Sequence, residues 1–131
     1  LFDYIGQFAL EFLQAADIRC HLDLPDHPPA RSISAEVRHN LFLAVKEALN
    51  NIVRHAGARE VHLRVATDDN ELSITIEDDG RGFGQAPDNA CADGLRNMRQ
   101  RLEEIHGRSR IESAPGKGTK ISFIHSWHNG S

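Results

Sequence analysis

The 131-residue length, with 40% hydrophobic and 26% charged residues, fits one globular domain with its own core and excludes a disordered chain. A net charge of −4 and a pI near 6.0 exclude a broad electrostatic grip on nucleic acid. No apolar run reaches the roughly 20 residues that cross a bilayer, and no signal peptide is visible. Cys20, Cys91 and eight scattered histidines show no disulfide or metal-ligand spacing, which suits a reducing cytoplasm.

Leu1 to Ala16 predicts a helix, with Ile5, Phe8, Phe12 and Ala15 or Ala16 near helical spacing. Ile18 to Leu24 alternates apolar and polar residues and predicts a half-buried strand. Pro25 to Arg31, with three prolines, is a loop. Ser34 is the expected N-cap of a long helix running to about Ala56, with Gly57 as its stop. Strands are expected at Glu60–Thr67 and Glu71–Asp78, joined by the turn Asp68-Asp69-Asn70. Gly80 to Asp93 lacks periodicity and is expected to be a loop. Leu95, Met98, Leu102 and Ile105 mark a further helix ended by Gly107. Ser109–Ser113 and Thr119–Trp127 form a hairpin around Pro115 to Gly118. The expected fold is an α/β two-layer sandwich: one mixed, largely antiparallel sheet with helices on one face.

On the long helix each residue turns about 100° from the last. Leu41, Val45, Ala48, Leu49 and Ile52 then form the core stripe. Glu47, Asn51, Arg54 and His55 form a second stripe at its margin, an acid, an amide, a cation and an imidazole on one side. The same four residues also suit an ordinary solvated face, although a mid-helix Asn is a mediocre helix former. Along Leu72 to Asp78 the apolar residues take the even positions, so Asp78 falls on the inward side. A carboxylate there needs a donor, because burying it unpaired is costly. An adenine amine would be one; a strand-end turn at Asp78-Asp79-Gly80 is the plainer reading. Thr119 shares parity with Ile121 and Phe123 and faces the same way. Ahead of Leu95, a helix N-terminus with Arg96 and Arg99 nearby could present free N–H groups to phosphate.

In order and spacing these residues resemble the GHKL ATPases, with their Bergerat-type fold, and more narrowly the ATP-binding catalytic domain of bacterial sensor histidine kinases. Glu47 to His55 is similar to the N box, and Asp78 to Gly82 to the Asp-x-Gly-x-Gly box. Gly94-Leu-Arg-Asn-Met98 resembles the second glycine box, and Gly116 to Thr119 the last glycine-threonine element. The chain departs from a Gly-x-Gly-Leu lid pattern, having Ala92-Asp93-Gly94-Leu95. Glu-Ala-Leu-Asn-Asn and Gly-Leu-x-x-Met-x-x-Arg resemble the subfamily paired with helix-turn-helix response regulators.

The resemblance implies that ATP and Mg²⁺ bind here. Asn51 would coordinate the metal, Arg54 would meet phosphate and His55 would lie against adenine. Asp78 would accept from the adenine amine, helped by Thr119. Gly80, Gly82, Gly94 and Leu95 would shape the nucleotide's surroundings. Glu47 sits where some relatives keep a water-activating acid, leaving its role catalytic or structural. The expected activity is donation of the γ-phosphate to a histidine on a separate dimerising helical domain, then onward to a response regulator. No histidine of this chain is followed by an acid. Residues 1–16 would lead in from that helical domain and residues 17–131 form the catalytic domain. A start at Leu1 suggests a piece of a longer protein, a cytoplasmic domain of a membrane-bound sensor attached only through other regions. The alternatives are an anti-sigma-factor serine kinase of the same fold or a nucleotide-binding module without catalysis.

Overall fold

The computed structural model describes residues 2–25, 33–80 and 89–126. The elements run α1 (Phe2–Ala15), β1 (Arg19–Asp23), α2 (Ala35–Asn51), β2 (Glu60–Thr67), β3 (Glu71–Asp78), α3 (Asn89–Glu104), β4 (Gly107–Ser113) and β5 (Thr119–Ser126). The five strands form one sheet in the order β1-β2-β3-β5-β4. β1 is parallel to β2 and the other pairs are antiparallel, as expected for a mixed two-layer sandwich.

Among the described residues the helices cover one face of the sheet. Ile5, Ala9 and Leu13 of α1, Leu41, Val45 and Leu49 of α2, and Met98 and Leu102 of α3 are fully buried. They meet Leu63, Ile74, Ile76 and Phe123 of the sheet, so a single core lies between the two layers. The opposite face is mostly polar, with Ala66 and Ile124 as apolar exceptions, and strand alternation of period two produces that division.

Local chemistry accounts for most boundaries. The Ser34 hydroxyl accepts from the Val37 N–H at 3.2 Å and starts α2. Asp17, in the left-handed region at φ 63, closes α1. Its N–H donates to the Gln14 carbonyl, and the Ile18 N–H donates to that of Leu13 at 2.8 Å, a Schellman ending built on Asp rather than Gly. Between β2 and β3 the Asp68 carboxylate accepts from the N–H groups of Asn70 and Glu71, which holds its pKa below the ordinary value. The expected bounds of β2 and β3 coincide with the observed ones. The Pro25–Arg31 loop falls largely outside the described residues, as does Trp127.

Two expectations need correction. The long helix is not α-helical to Ala56: Ile52–Ala56 forms one π turn, ending at Gly57 with φ 62. Wider i→i+5 rings advance each residue by less than 100°, so the wheel holds to Asn51 and fails beyond it. And α3 begins at Asn89, inside the stretch expected to be a loop. From Asn89 to Asp93 the chain has neither Gly nor Pro, and Ala90 and Ala92 are strong helix formers. Alanine in place of the first lid glycine removes the breaker.

Candidate nucleotide-binding site

Two clusters of the expected residues form on the covered side. The first joins α2 to α3. Gly94 is buried, and a Cβ there would stand 2.6 Å from Glu47 Oε1, 2.8 Å from Asn51 Nδ2 and 3.0 Å from Asn51 Oδ1. Only glycine lets the α3 backbone come that close. Glu47 and Asn51 thus bring a carboxylate and a side-chain amide together against the α3 backbone; an amide oxygen is a donor that suits a hard cation such as Mg²⁺. Asn51 Nδ2 is buried without a hydrogen-bond partner among the described residues, an arrangement that costs free energy unless a ligand completes it. Beside this point a groove of about 360 Å³ opens between the helices, lined by Lys46, Glu47, Asn50, Met98 and Arg101 among others.

Because α3 starts upstream, Gly94 and Leu95 lie in its second turn. The free N–H groups expected just ahead of Leu95 belong instead to the first turn, from Asn89. Arg96 pairs with Asp93 at 3.2 Å. Leu95 is half-buried against the core.

The second cluster lies where β3 ends beside β5. Asp78 is 6% exposed and is registered directly against Thr119, which is 8% exposed. Both face the helices, as parity predicts. Asp78 Oδ1 accepts from the Gly80 N–H at 2.8 Å. Burial raises the Asp78 pKa above its ordinary value; the Gly80 N–H opposes this, and the nearby Asp79 and Glu77 charges reinforce it. The next carboxylate is treated oppositely. Asp79 accepts from the N–H groups of Glu60 and Arg59, at 3.0 and 2.8 Å, and its pKa is lowered.

Gly118 adopts φ +77, and a Cβ there would overlap the Asp78 carbonyl oxygen at 2.1 Å. The hairpin glycine is thus also a contact with the strand that carries Asp78. Ser113, which the sequence did not single out, donates its hydroxyl to the Gly118 carbonyl and lies 3.0 Å from Thr119 Oγ1. It thereby orients the Thr119 hydroxyl. Counting outward from the hairpin glycines pairs Ser113 with Thr119, so register held the signal.

The remaining expected residues spread out. Arg54 is exposed and His55 half-buried, both on the π turn rather than on a continuation of the Glu47 stripe. Gly80 is buried beside Asp78, and Gly82 lies outside the described residues.

The profile of the histidine kinase-, DNA gyrase B- and HSP90-like ATPases matches residues 36–127. The chain is 34% identical over 111 residues to the sensor histidine kinase LiaS of Bacillus subtilis, covering 85% of this chain and 30% of LiaS. It is 33% identical over 94 residues to the sensor histidine kinase ComP of the same organism, covering 70% of this chain and 12% of ComP. It thus spans less than a third of these curated relatives. The fold is shared with a histidine kinase domain of an Erythrobacter litoralis blue-light activated histidine kinase. There the TM-score is 0.79 and the identity 21%, over 98% of this chain and 62% of the other. The glycine and acid boxes, the two-layer fold and the matched span agree: the chain belongs to the histidine kinase-, DNA gyrase B- and HSP90-like ATPase family, with the fold of a histidine kinase ATP-binding domain.

Proposed function

We propose that this chain is the catalytic ATP-binding domain of a sensor histidine kinase, which binds Mg-ATP and donates the γ-phosphate to a histidine on a separate helical domain. The observation that carries this reading is Asp78, a carboxylate buried at a strand end with the Thr119 hydroxyl beside it. Asp78 accepts from the exocyclic amine of adenine, Thr119 supports the base, and His55 packs near the ring. Gly80 allows close approach of the nucleotide, and the resemblance extends that role to Gly82. Asn51 would hold Mg²⁺, which when bound neutralises phosphate charge, and Glu47 beside it is catalytic or structural. Gly94 and Leu95 keep α3 against them, and Arg54 meets phosphate. The helical domain, a response regulator and a cytoplasmic position complete the reading. Among the described residues no helix is long and apolar enough to cross a membrane.

The relatives named above are sensor histidine kinases, which favours this reading over the anti-sigma-factor kinase. Against a non-catalytic module stand the intact Asn51 and Asp78.

Base choice tests the assignment. Guanine presents a carbonyl oxygen where adenine presents an amine, so a carboxylate at that edge repels it. Calorimetric titration should find ATP bound at least tenfold more tightly than GTP; equal affinities would remove Asp78 from the base. Asn51→Ala should abolish the Mg²⁺ dependence of ATP binding, and a variant that keeps that dependence would move the metal elsewhere. With γ-labelled ATP, acid-labile phosphate should appear on a supplied histidine-bearing hairpin and not on this chain.

A further inference from the structure

We propose that the open face of the sheet carries a second metal site, for a first-row transition ion such as Zn²⁺, formed by His21, His62 and Glu60. It lies on the face away from the helices and shares no residue with the proposed nucleotide site. Individually the histidines have no ligand spacing along the chain; parallel pairing of β1 with β2 brings two of them together. His21 is registered directly against His62, and Arg19 against Glu60. Cys20, Leu22, Val61 and Leu63 take the covered face, so Arg19, His21, Glu60 and His62 all project from the open one.

The two imidazoles stack with centroids 4.4 Å apart and planes 11° from parallel. His21 Nε2 lies 3.5 Å from Glu60 Oε1. One donor atom from each of the three residues falls within 4.8 Å of the others. Two histidines and one carboxylate, with a fourth position left to water, are a donor set that zinc uses. Bond lengths of about 2.0–2.2 Å place tetrahedral ligands ~3.3 Å apart, so the widest-spaced donors must close by up to about 1.5 Å, and one imidazole must turn out of the stack to aim its lone pair at the ion. The side chains of His21 and Glu60 are 43% and 39% exposed. Rotation about their own side-chain bonds achieves the closure without disturbing the ladder.

Imidazole selects zinc, copper or nickel over magnesium, so this site does not compete for the nucleotide's ion. Arg19 does compete: its guanidinium holds the same Glu60 Oε1 at 3.2 Å. Binding fastens β1, an edge strand of the sheet, to β2, and stabilises the fold by mass action.

The test is calorimetric titration of Zn²⁺ alone into the nucleotide-free chain, with Mg²⁺ present throughout. One zinc per chain is expected. His21→Gln and His62→Gln should each weaken it by more than about tenfold, the loss that even an outer-shell partner causes. Arg19→Gln should tighten it by freeing the carboxylate. Absence of stoichiometric zinc binding overturns the proposal. So does zinc binding unchanged in both glutamine variants, because the ion is then held elsewhere. A circular dichroism spectrum and an ATP affinity equal to wild type in each variant separate a lost metal site from a lost fold.

Discussion

At the end of β3 the covered and open faces of the sheet meet within two residues. Asp78 faces the helices and is registered against buried Thr119. Glu77, one position back, faces solvent and is registered against exposed Lys120. A carboxylate and its cross-strand partner stand on both faces, but only the inward pair loses water. The open face carries its charge at little cost: Arg64 meets Asp23 at 3.0 Å with side chains 70% and 69% exposed, and Arg19 meets Glu60 at 3.2 Å with side chains 73% and 39% exposed. The covered face carries Asp78 at a cost, visible as its raised pKa. Polar residues retained where they destabilise the empty fold mark the place where a ligand compensates.

The comparison can be broken at several points. The largest expected effect is at Gly118. An alanine there must leave the left-handed region and also displace the Asp78 backbone. Gly118→Ala should destabilise the fold by about 3 kcal/mol, from strain and overpacking together. Gly116→Ala shares only the positive φ, since nothing lies within 4 Å of its added Cβ. A Gly116→Ala loss as large as that of Gly118→Ala, by denaturant unfolding, would mean that close approach to Asp78 contributes nothing.

Next is Asp78→Asn. Replacing a charged acceptor should weaken ATP by about 1.5–3 kcal/mol. The same change should stabilise the empty domain at neutral pH. Burial raises the folded pKa of Asp78 above the unfolded one, so its contribution is present at low pH and lost as pH rises through the folded value. Asp79→Asn should act with the opposite sign, because the lowered pKa of Asp79 means stability present at neutral pH and lost on acidification. Parallel changes in both variants, by thermal unfolding across pH, would contradict the division between the two carboxylates.

His125 gives a smaller, pH-dependent effect. It is 6% exposed, and its Nδ1–H donates to the Ile105 carbonyl at 3.1 Å. Burial lowers its pKa from the ordinary 6.5. The unfolded chain therefore takes up the proton first, and stability should fall as pH drops below about 6.5 towards the folded value. His125→Gln should flatten that limb of the stability profile relative to wild type; an unchanged slope would assign it to other histidines.

The smallest effect belongs to the open face. Arg64→Ala breaks the pair with Asp23 and should change stability by less than about 1 kcal/mol, shrinking further at high salt. A loss of several kcal/mol in urea titration would show that the open face is not simply solvated.

Sequence alone determined what depends on neighbours along the chain. Alternation of period two placed β2 and β3 and turned Asp78 and Thr119 inward, because a side chain's face follows from its parity. Ser34 and Gly57 bounded the long helical segment because capping is local. Tertiary structure decided the rest. The last turn before Gly57 is π rather than α and begins at Ile52, which is buried in the core, a geometry that a helical wheel does not encode. The start of α3 was missed because helix formers between turn-rich residues are ambiguous until a helix has a surface to cover. Likewise His21 and His62, 41 positions apart, became neighbours only through a parallel pairing that α2 connects. No tight turn fixes the register of such a pair; the packing of the crossover helix does.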